Sequence, residues 1–196
     1  MALSERLTAQ YGALLIVDLQ EKLVAGMDDR GRLVDNTVRL IRAARTLGLR
    51  VWATEQYPKG LGPSVPEVVE LIPERSPKTM FHCCAVPQFL EQLYGHRVRH
   101  VTLAGIEAHV CVAQTALELL NLGFRVQVPA DAVGSRHRID WEFALRRLER
   151  AGAVVSTTEA VIFEWTETSD CPQFKAISEL IKSAEGRRRS ESKSAP

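Results

Sequence analysis

The stretch Val101–Val128, VTLAGIEAHVCVAQTALELLNLGFRVQV, constrains the fold more than any other part of the chain. A short apolar run, Val101–Ala104, meets Gly105, and after a brief polar break a helical pattern begins. Ala113, Ala116, Leu117, Leu119 and Leu120 leave that helix almost no polar face, so it has to be covered on most sides. Gly123 stops it, and Phe124–Val128 reads as the next strand. Cys111 falls in the first turn of the helix, where unpaired N–H groups and the helix dipole favour a thiolate. A strand–turn–helix with a cysteine at the turn can present a nucleophile reacting as a thiolate near neutral pH. A buried, inert cysteine is the other reading of the same pattern.

The rest of the chain repeats the alternation. Ala13–Val17 is a continuous apolar run, as in a strand covered on both faces, and it ends at Asp18. Apolar positions from Leu33 to Leu47 keep helical spacing, Gly48 closes that helix, and Val51–Thr54 follows as a strand. A long Pro/Gly-rich segment, Glu55–Pro66, reads as a functional or mobile loop. A short run at Lys78–Phe81 precedes a helix carrying Phe89, Leu90 and Leu93. Beyond the central unit come a loop at Asp131–Ser135, an amphipathic helix through Trp141, Ala144, Leu145 and Leu148, and a brief strand at Val154–Val155. Ser156–Glu159 resembles a capping box, and a last helix starts near Asp170–Pro172. Strands alternating with helices predict a single α/β domain over 1–185, three-layer α/β/α with a central, mostly parallel sheet. The Arg/Ser-rich segment 186–196 reads as a disordered tail.

In such sheets, sites lie beyond the carboxyl ends of the strands. Asp18, the segment after Thr54, and Gly105–Cys111 all occupy strand ends and should converge. Asp18 alone can be a helix cap, and Lys78 alone a surface lysine. Together with Cys111 they have a chemical rationale: the carboxylate accepts the thiol proton, the ammonium holds the carboxylate charge, and turn N–H groups receive an oxyanion.

Those residues carry a family resemblance. Ile16-Val17-Asp18-Leu19-Gln20, Lys78 ahead of an aromatic residue, and Gly105-Ile106-Glu107-Ala108-His109-Val110-Cys111-Val112 resemble the signatures of isochorismatase-like cysteine hydrolases, which include nicotinamidases and N-carbamoylsarcosine amidases. The similarity runs from Ala13 to about Lys182. It extends to the isochorismatase domain-containing proteins through Thr54-Glu55-Gln56-Tyr57-Pro58, Gly60-Leu61-Gly62-Pro63, Asp131, Ser135-Arg136 and Pro172-Gln173-Phe174-Lys175. The resemblance implies the isochorismatase-like hydrolase fold, with Cys111 as nucleophile, Asp18 as general base and Lys78 as third member. It implies a cis peptide between Ile106 and Glu107, and an oxyanion hole from the main-chain N–H groups of Glu107 and Cys111. Gln20, Tyr57, His82 and His109 are expected around the substrate, with the bland alternative that the histidines are structural.

The resemblance has a gap where nicotinamidase-like members bind zinc through an Asp-x-His arrangement and a further histidine. Here that place reads Glu55-Gln56-Tyr57-Pro58-Lys59-Gly60. No metal and no other cofactor is therefore expected, and nicotinamide is not the expected substrate; nor is isochorismate, because the isochorismatase domain-containing proteins that the chain resembles are not associated with siderophore synthesis. The expected activity is hydrolysis of an amide or related C–N bond of a small molecule through a thioester. The alternative is a binding or scaffold protein that retains the hydrolase fold. Nuclease activity ranks last, for want of a metal-binding carboxylate cluster or a general-acid histidine pair. A formal charge of +1 gives no pull towards nucleic acid or membrane, and neither a signal-peptide nor a membrane-spanning run is legible. Four cysteines without CxxC spacing suit a reducing cytoplasm, with Cys83-Cys84 as core packing and Cys171 at a helix start. A homo-oligomer (dimer, tetramer or higher) is expected from the family and from an apolar surplus at Trp141, Phe163, Trp165 and Leu180.

Overall fold

In the computed structural model, which describes residues 6–183, the apolar run ahead of Asp18 becomes the centre of a parallel sheet. The tail expected from Gly186 lies outside the described residues. Strand β1 (Gly12–Val17) is buried along its whole length between β2 (Arg50–Gln56) and β4 (His100–Ile106). β3 (Ser76–Lys78) extends the sheet beyond β2. β5 (Arg125–Pro129) and then β7 (Val154–Ser156) extend it beyond β4. The two-residue β6 (Val133–Gly134) pairs with the last two residues of β4. The order is β3-β2-β1-β4-β5-β7, and every pairing between these strands is parallel.

Parallel neighbours need crossovers, and the helices supply them. α1 (Glu21–Val24) and α2 (Arg30–Thr46) lead from β1 to β2. α3 (Pro58–Leu61) and α4 (Pro66–Leu71) lead to β3, so the segment Glu55–Pro66 read as a loop holds one short helix and ends where a second begins, each opened by a proline. α5 (Pro87–Gly95), α6 (Ala113–Asn121) and α7 (Arg138–Ala151) follow, then α8 (Thr158–Thr166) and α9 over 174–183.

Side-chain alternation in β1 divides the core into two layers. Ala13, Leu15 and Val17 join Phe89, Leu93, Ala116, Leu119, Leu145 and Leu148 on the face covered by α5, α6 and α7. Leu14 and Ile16 join Leu40, Ile41, Val161, Ile162 and Ile177 on the face covered by α2, α8 and α9. Each fully buried Leu or Ile contributes about 1.5–3 kcal/mol. One polar substitution in β1 would therefore remove a sizeable part of the about 5–15 kcal/mol that holds a domain together.

Two local expectations are corrected. The capping box at Ser156–Glu159 does not form, since the Thr157 side chain makes no cap bond. Instead Asp131 Oδ1 accepts from Thr158 N at 2.7 Å and from Thr158 Oγ1 at 2.9 Å. The β5–β7 pairing, continued by Ala130 N donating to Ser156 O, brings Asp131 to the start of α8. The apolar surplus is also smaller than expected: Trp165 is in the core, and Trp141 donates its Nε1 proton to the carbonyls of Ala130 and Val133. Ile139, Phe143 and Phe163 are the large apolar side chains exposed on α7 and α8.

Candidate active site

Three strand ends meet here, and the closeness of β4 to β1 depends on Gly105. Its φ is +115°, and a Cβ at this position would lie 2.0 Å from the Val17 carbonyl oxygen. Only a glycine fits backbone that close to backbone. The chain beyond it turns through Ile106–Glu107, whose peptide bond is cis, into a π-helical turn over Ala108–Val112 that carries Cys111.

Asp18 leaves β1 in a left-handed conformation, φ +48°, which aspartate tolerates better than most residues. Its carboxylate is fully buried and held at both oxygens. Thr54 Oγ1 donates to Oδ1 at 2.8 Å, and Lys78 Nζ donates to Oδ2 at 2.6 Å. The β2–β3 register sets Lys78 beside Gln56, and Lys78 also donates to Gln56 Oε1 at 2.5 Å and to the Met80 carbonyl at 3.2 Å. Three ammonium protons thus meet three acceptors. Burial by itself would lower the Lys78 pKa, but the charges of Asp18, Cys83 and Cys111 outweigh it and leave the pKa raised.

The Cys111 thiol is buried and reaches Gln56 Oε1 at 3.9 Å. Burial, then the Asp18 charge, pushes the thiol up to about 12, against the opposing pull of Lys78. Burial and the Asp18 charge thus oppose the thiolate, and Lys78 favours it. Removal from water costs the anion more than one lysine returns when that lysine already serves a carboxylate. The Thr115 hydroxyl ties the segment down, donating to the Cys111 carbonyl at 2.7 Å and accepting from Cys83 N at 3.0 Å. Cys83 Sγ lies 3.5 Å from Thr54 Oγ1, and burial raises its pKa to about 11.

The structure thus brings Asp18, Lys78 and Cys111 together, and it separates the expected pocket residues. Tyr57, φ +37° and exposed, lines a cavity of about 640 Å³ with Pro58, Lys78, Met80, Val86 and Pro87. Gln20 is engaged with the backbone. It is wholly buried, and its amide bonds the main chain on both sides of Gln56 and the Gly62 carbonyl. His109 is half-buried in a polar cluster, 2.9 Å from Ser135 Oγ and 3.8 Å from Glu107 Oε2. Glu107 itself accepts from Arg136 N and Nε. His82 is half-buried, with a buried Nδ1 that has no hydrogen-bond partner.

Sequence reading missed Thr54, Gln56 and Thr115 as members of the site. A signal existed for two of them: Thr54 and Gln56 are two residues apart at a strand end and so share a face. Among the described residues no group of three His, Cys, Asp or Glu side chains is placed to hold a metal, and no helix is long and apolar enough to cross a membrane.

Comparison with known proteins identifies the family. The model of the isochorismatase domain matches residues 12–160. The chain belongs to the isochorismatase family. It is 40% identical over 172 residues to isochorismatase domain-containing protein 1 of Danio rerio, covering 84% of this chain but 59% of that protein. Identity to isochorismatase domain-containing protein 2 of the same species is 39% over 178 residues, covering 90% of this chain and 89% of that protein. Among solved structures, one described as MAR1 ribonuclease from Caenorhabditis elegans superimposes with a TM-score of 0.86 at 42% identity, covering 90% and 92% of the two chains. YcaC from Pseudomonas aeruginosa, solved with hexane-2,5-diol and covalent acrylamide, gives 0.81 at 26% identity, covering 93% and 98%. The Escherichia coli YcaC product, described as an octameric hydrolase of unknown specificity, gives 0.84 at 25% identity, covering 97% and 98%. The isochorismatase-like hydrolase fold is thus shared across the family.

Proposed function

We propose that this chain is a cysteine hydrolase that cleaves an amide or related C–N bond of a small molecule through a thioester on Cys111. The observation that carries the reading is the Asp18 carboxylate, fixed by Lys78 and Thr54 beside a buried thiol. Cys111 Sγ attacks the substrate carbonyl carbon as its proton passes to Asp18. The oxyanion is received by the main-chain N–H groups of Glu107 and Cys111. As the C–N bond breaks, Asp18 returns the proton to the leaving nitrogen. Water then attacks the thioester, Asp18 takes a proton from it, and the sulfur recovers a proton as the acid leaves. Lys78, with all three protons engaged, holds charge and position and does not act as the proton donor. The covalent acrylamide in the Pseudomonas aeruginosa relative supports a site of this kind.

The test is a screen of amides, ureido compounds and esters, with mass spectrometry of the trapped adduct. The reading expects an acyl group on Cys111 and no turnover by Cys111→Ala. Native turnover by Cys111→Ala would sink it, and labelling without turnover of any substrate would favour a binding or scaffold role. The name of the Caenorhabditis elegans relative favours a second reading, ribonuclease activity at the same site. Single-stranded RNA cut by the native chain and spared by Cys111→Ala would establish it. We further propose a homo-oligomer, supported by the octameric relative and by exposed Ile139, Phe143 and Phe163, and testable by light scattering at micromolar concentration.

A further inference from the structure

Gln56 is the least expected member of the site and among the most firmly held. Its main chain is clamped by Gln20, which accepts from Gln56 N at 2.8 Å and donates to Gln56 O at 3.0 Å. Its side-chain Nε2 donates to the Thr79 carbonyl at 2.7 Å, and its Oε1 accepts from Lys78 Nζ. Reversing the amide would set an NH2 against an ammonium and a carbonyl against a carbonyl, so the network decides the orientation. The amide oxygen is therefore fixed towards both Lys78 and the Cys111 sulfur, 3.9 Å away.

A carbonyl oxygen is an acceptor and carries partial negative charge. It favours S–H over S⁻ and occupies one of the three protons with which Lys78 would otherwise face a thiolate. We propose that Gln56 is a positioning residue that keeps Cys111 protonated in the resting site, with its proton retained until Asp18 accepts it during attack. The inference rests on the reading of Cys111 as nucleophile. The charged groups facing the sulfur are Asp18 at the end of β1 and Lys78 on β3, with Cys83 also facing Lys78. Asp18 and burial act on the thiol in the same direction as Gln56, and Lys78 acts against them. It follows that the resting thiol is shielded from adventitious electrophiles, and that Gln20 serves the reaction by anchoring Gln56 away from substrate.

The experiment measures alkylation of the full chain by iodoacetamide from pH 6 to 10, with peptide mass spectrometry to assign the label to Cys111. Native protein is compared with Gln56→Met, which removes the acceptor, and with Gln56→Glu, which adds a negative charge. Gln56→Met should label Cys111 about tenfold faster at pH 8, the change in thiolate fraction for one unit of pKa. Gln56→Glu should label it more slowly than native. Rates unchanged in both variants, or shifted in the same direction in both, would overturn the proposal, because general loosening of the site moves them together. If Gln56→Glu does not fold, Gln56→Met decides against Cys84 as an internal control. Acceleration confined to Cys111 supports the role, and equal acceleration at Cys84 overturns it. A Cys111 that takes no label in any of the proteins overturns it as well. Failure to find a hydrolysed substrate leaves the labelling result standing, so the two readings fail separately.

Discussion

Replacing Lys78 with methionine tests the centre of the site without reference to substrate. The side chains of Asp18 and Lys78 are 0% and 2% exposed, and they meet at 2.6 Å. An exposed ion pair is worth about 0–1 kcal/mol. In a buried pair, losing one partner leaves the other charge uncompensated, which costs about 3–5 kcal/mol. Methionine keeps the apolar stem but supplies no proton to Asp18 Oδ2, Gln56 Oε1 or the Met80 carbonyl. Lys78→Met should therefore lose about 3–5 kcal/mol at pH 7 and still fold, since a domain has about 5–15 kcal/mol in hand. Removing the orphaned charge as well, in Asp18→Asn/Lys78→Met, should recover part of the loss, with a coupling of about 1–3 kcal/mol. Urea unfolding followed by circular dichroism measures both values, with an unchanged slope showing that the comparison is fair. A loss below about 1 kcal/mol, or strictly additive single substitutions, would refute a desolvated and mutually dependent pair.

Gly105→Ala should destabilise the fold by more than about 4 kcal/mol or prevent folding, because its Cβ would meet the Val17 carbonyl at 2.0 Å in a left-handed backbone; a thermal melt close to native would contradict this. Alkaline pH should weaken the domain. Cys83, Cys84 and Cys111 are raised from 9.0 to about 11, 12 and 12, so the folded chain keeps protons that the unfolded chain releases. That stability is fully present below pH 9 and is lost as pH climbs towards the folded values; the raised Lys78 acts with the same sign above its usual 10.5. Urea midpoints that stay level from pH 8 to 11 would count against it. Hydrolysis should survive a chelator, since the end of β2 offers a glutamine amide already bonded to Lys78 and Thr79; activity lost to chelation and restored by zinc would show otherwise.

The order of strands and helices was legible in the sequence because burial imposes period. A strand covered on both faces must be continuously apolar, as Ala13–Val17 is, and a helix packed on most sides must look like Ala113–Leu120. Asp18 and Cys111 were legible because polar chemistry at the end of an apolar strand is costly to place without a reason. Other features became decidable only in three dimensions, where residues distant in the chain share a volume. Trp165 reads as surplus apolar surface, yet α8 turns it into the core. Asp131 replaces the local capping box because β5 and β7 pair and bring it to Thr158. Gln20 reads from the sequence as a pocket residue, and only the fold shows its amide holding β2. Gln56 shares a face with Thr54 at a strand end, but its place beside Cys111 comes from the register of β2 against β3, which sets Lys78 beside it. The balance of effects on the thiol is likewise set by the fold. A helix start in isolation favours S⁻, whereas closure of three strand ends over Cys111 removes the water that the anion needs.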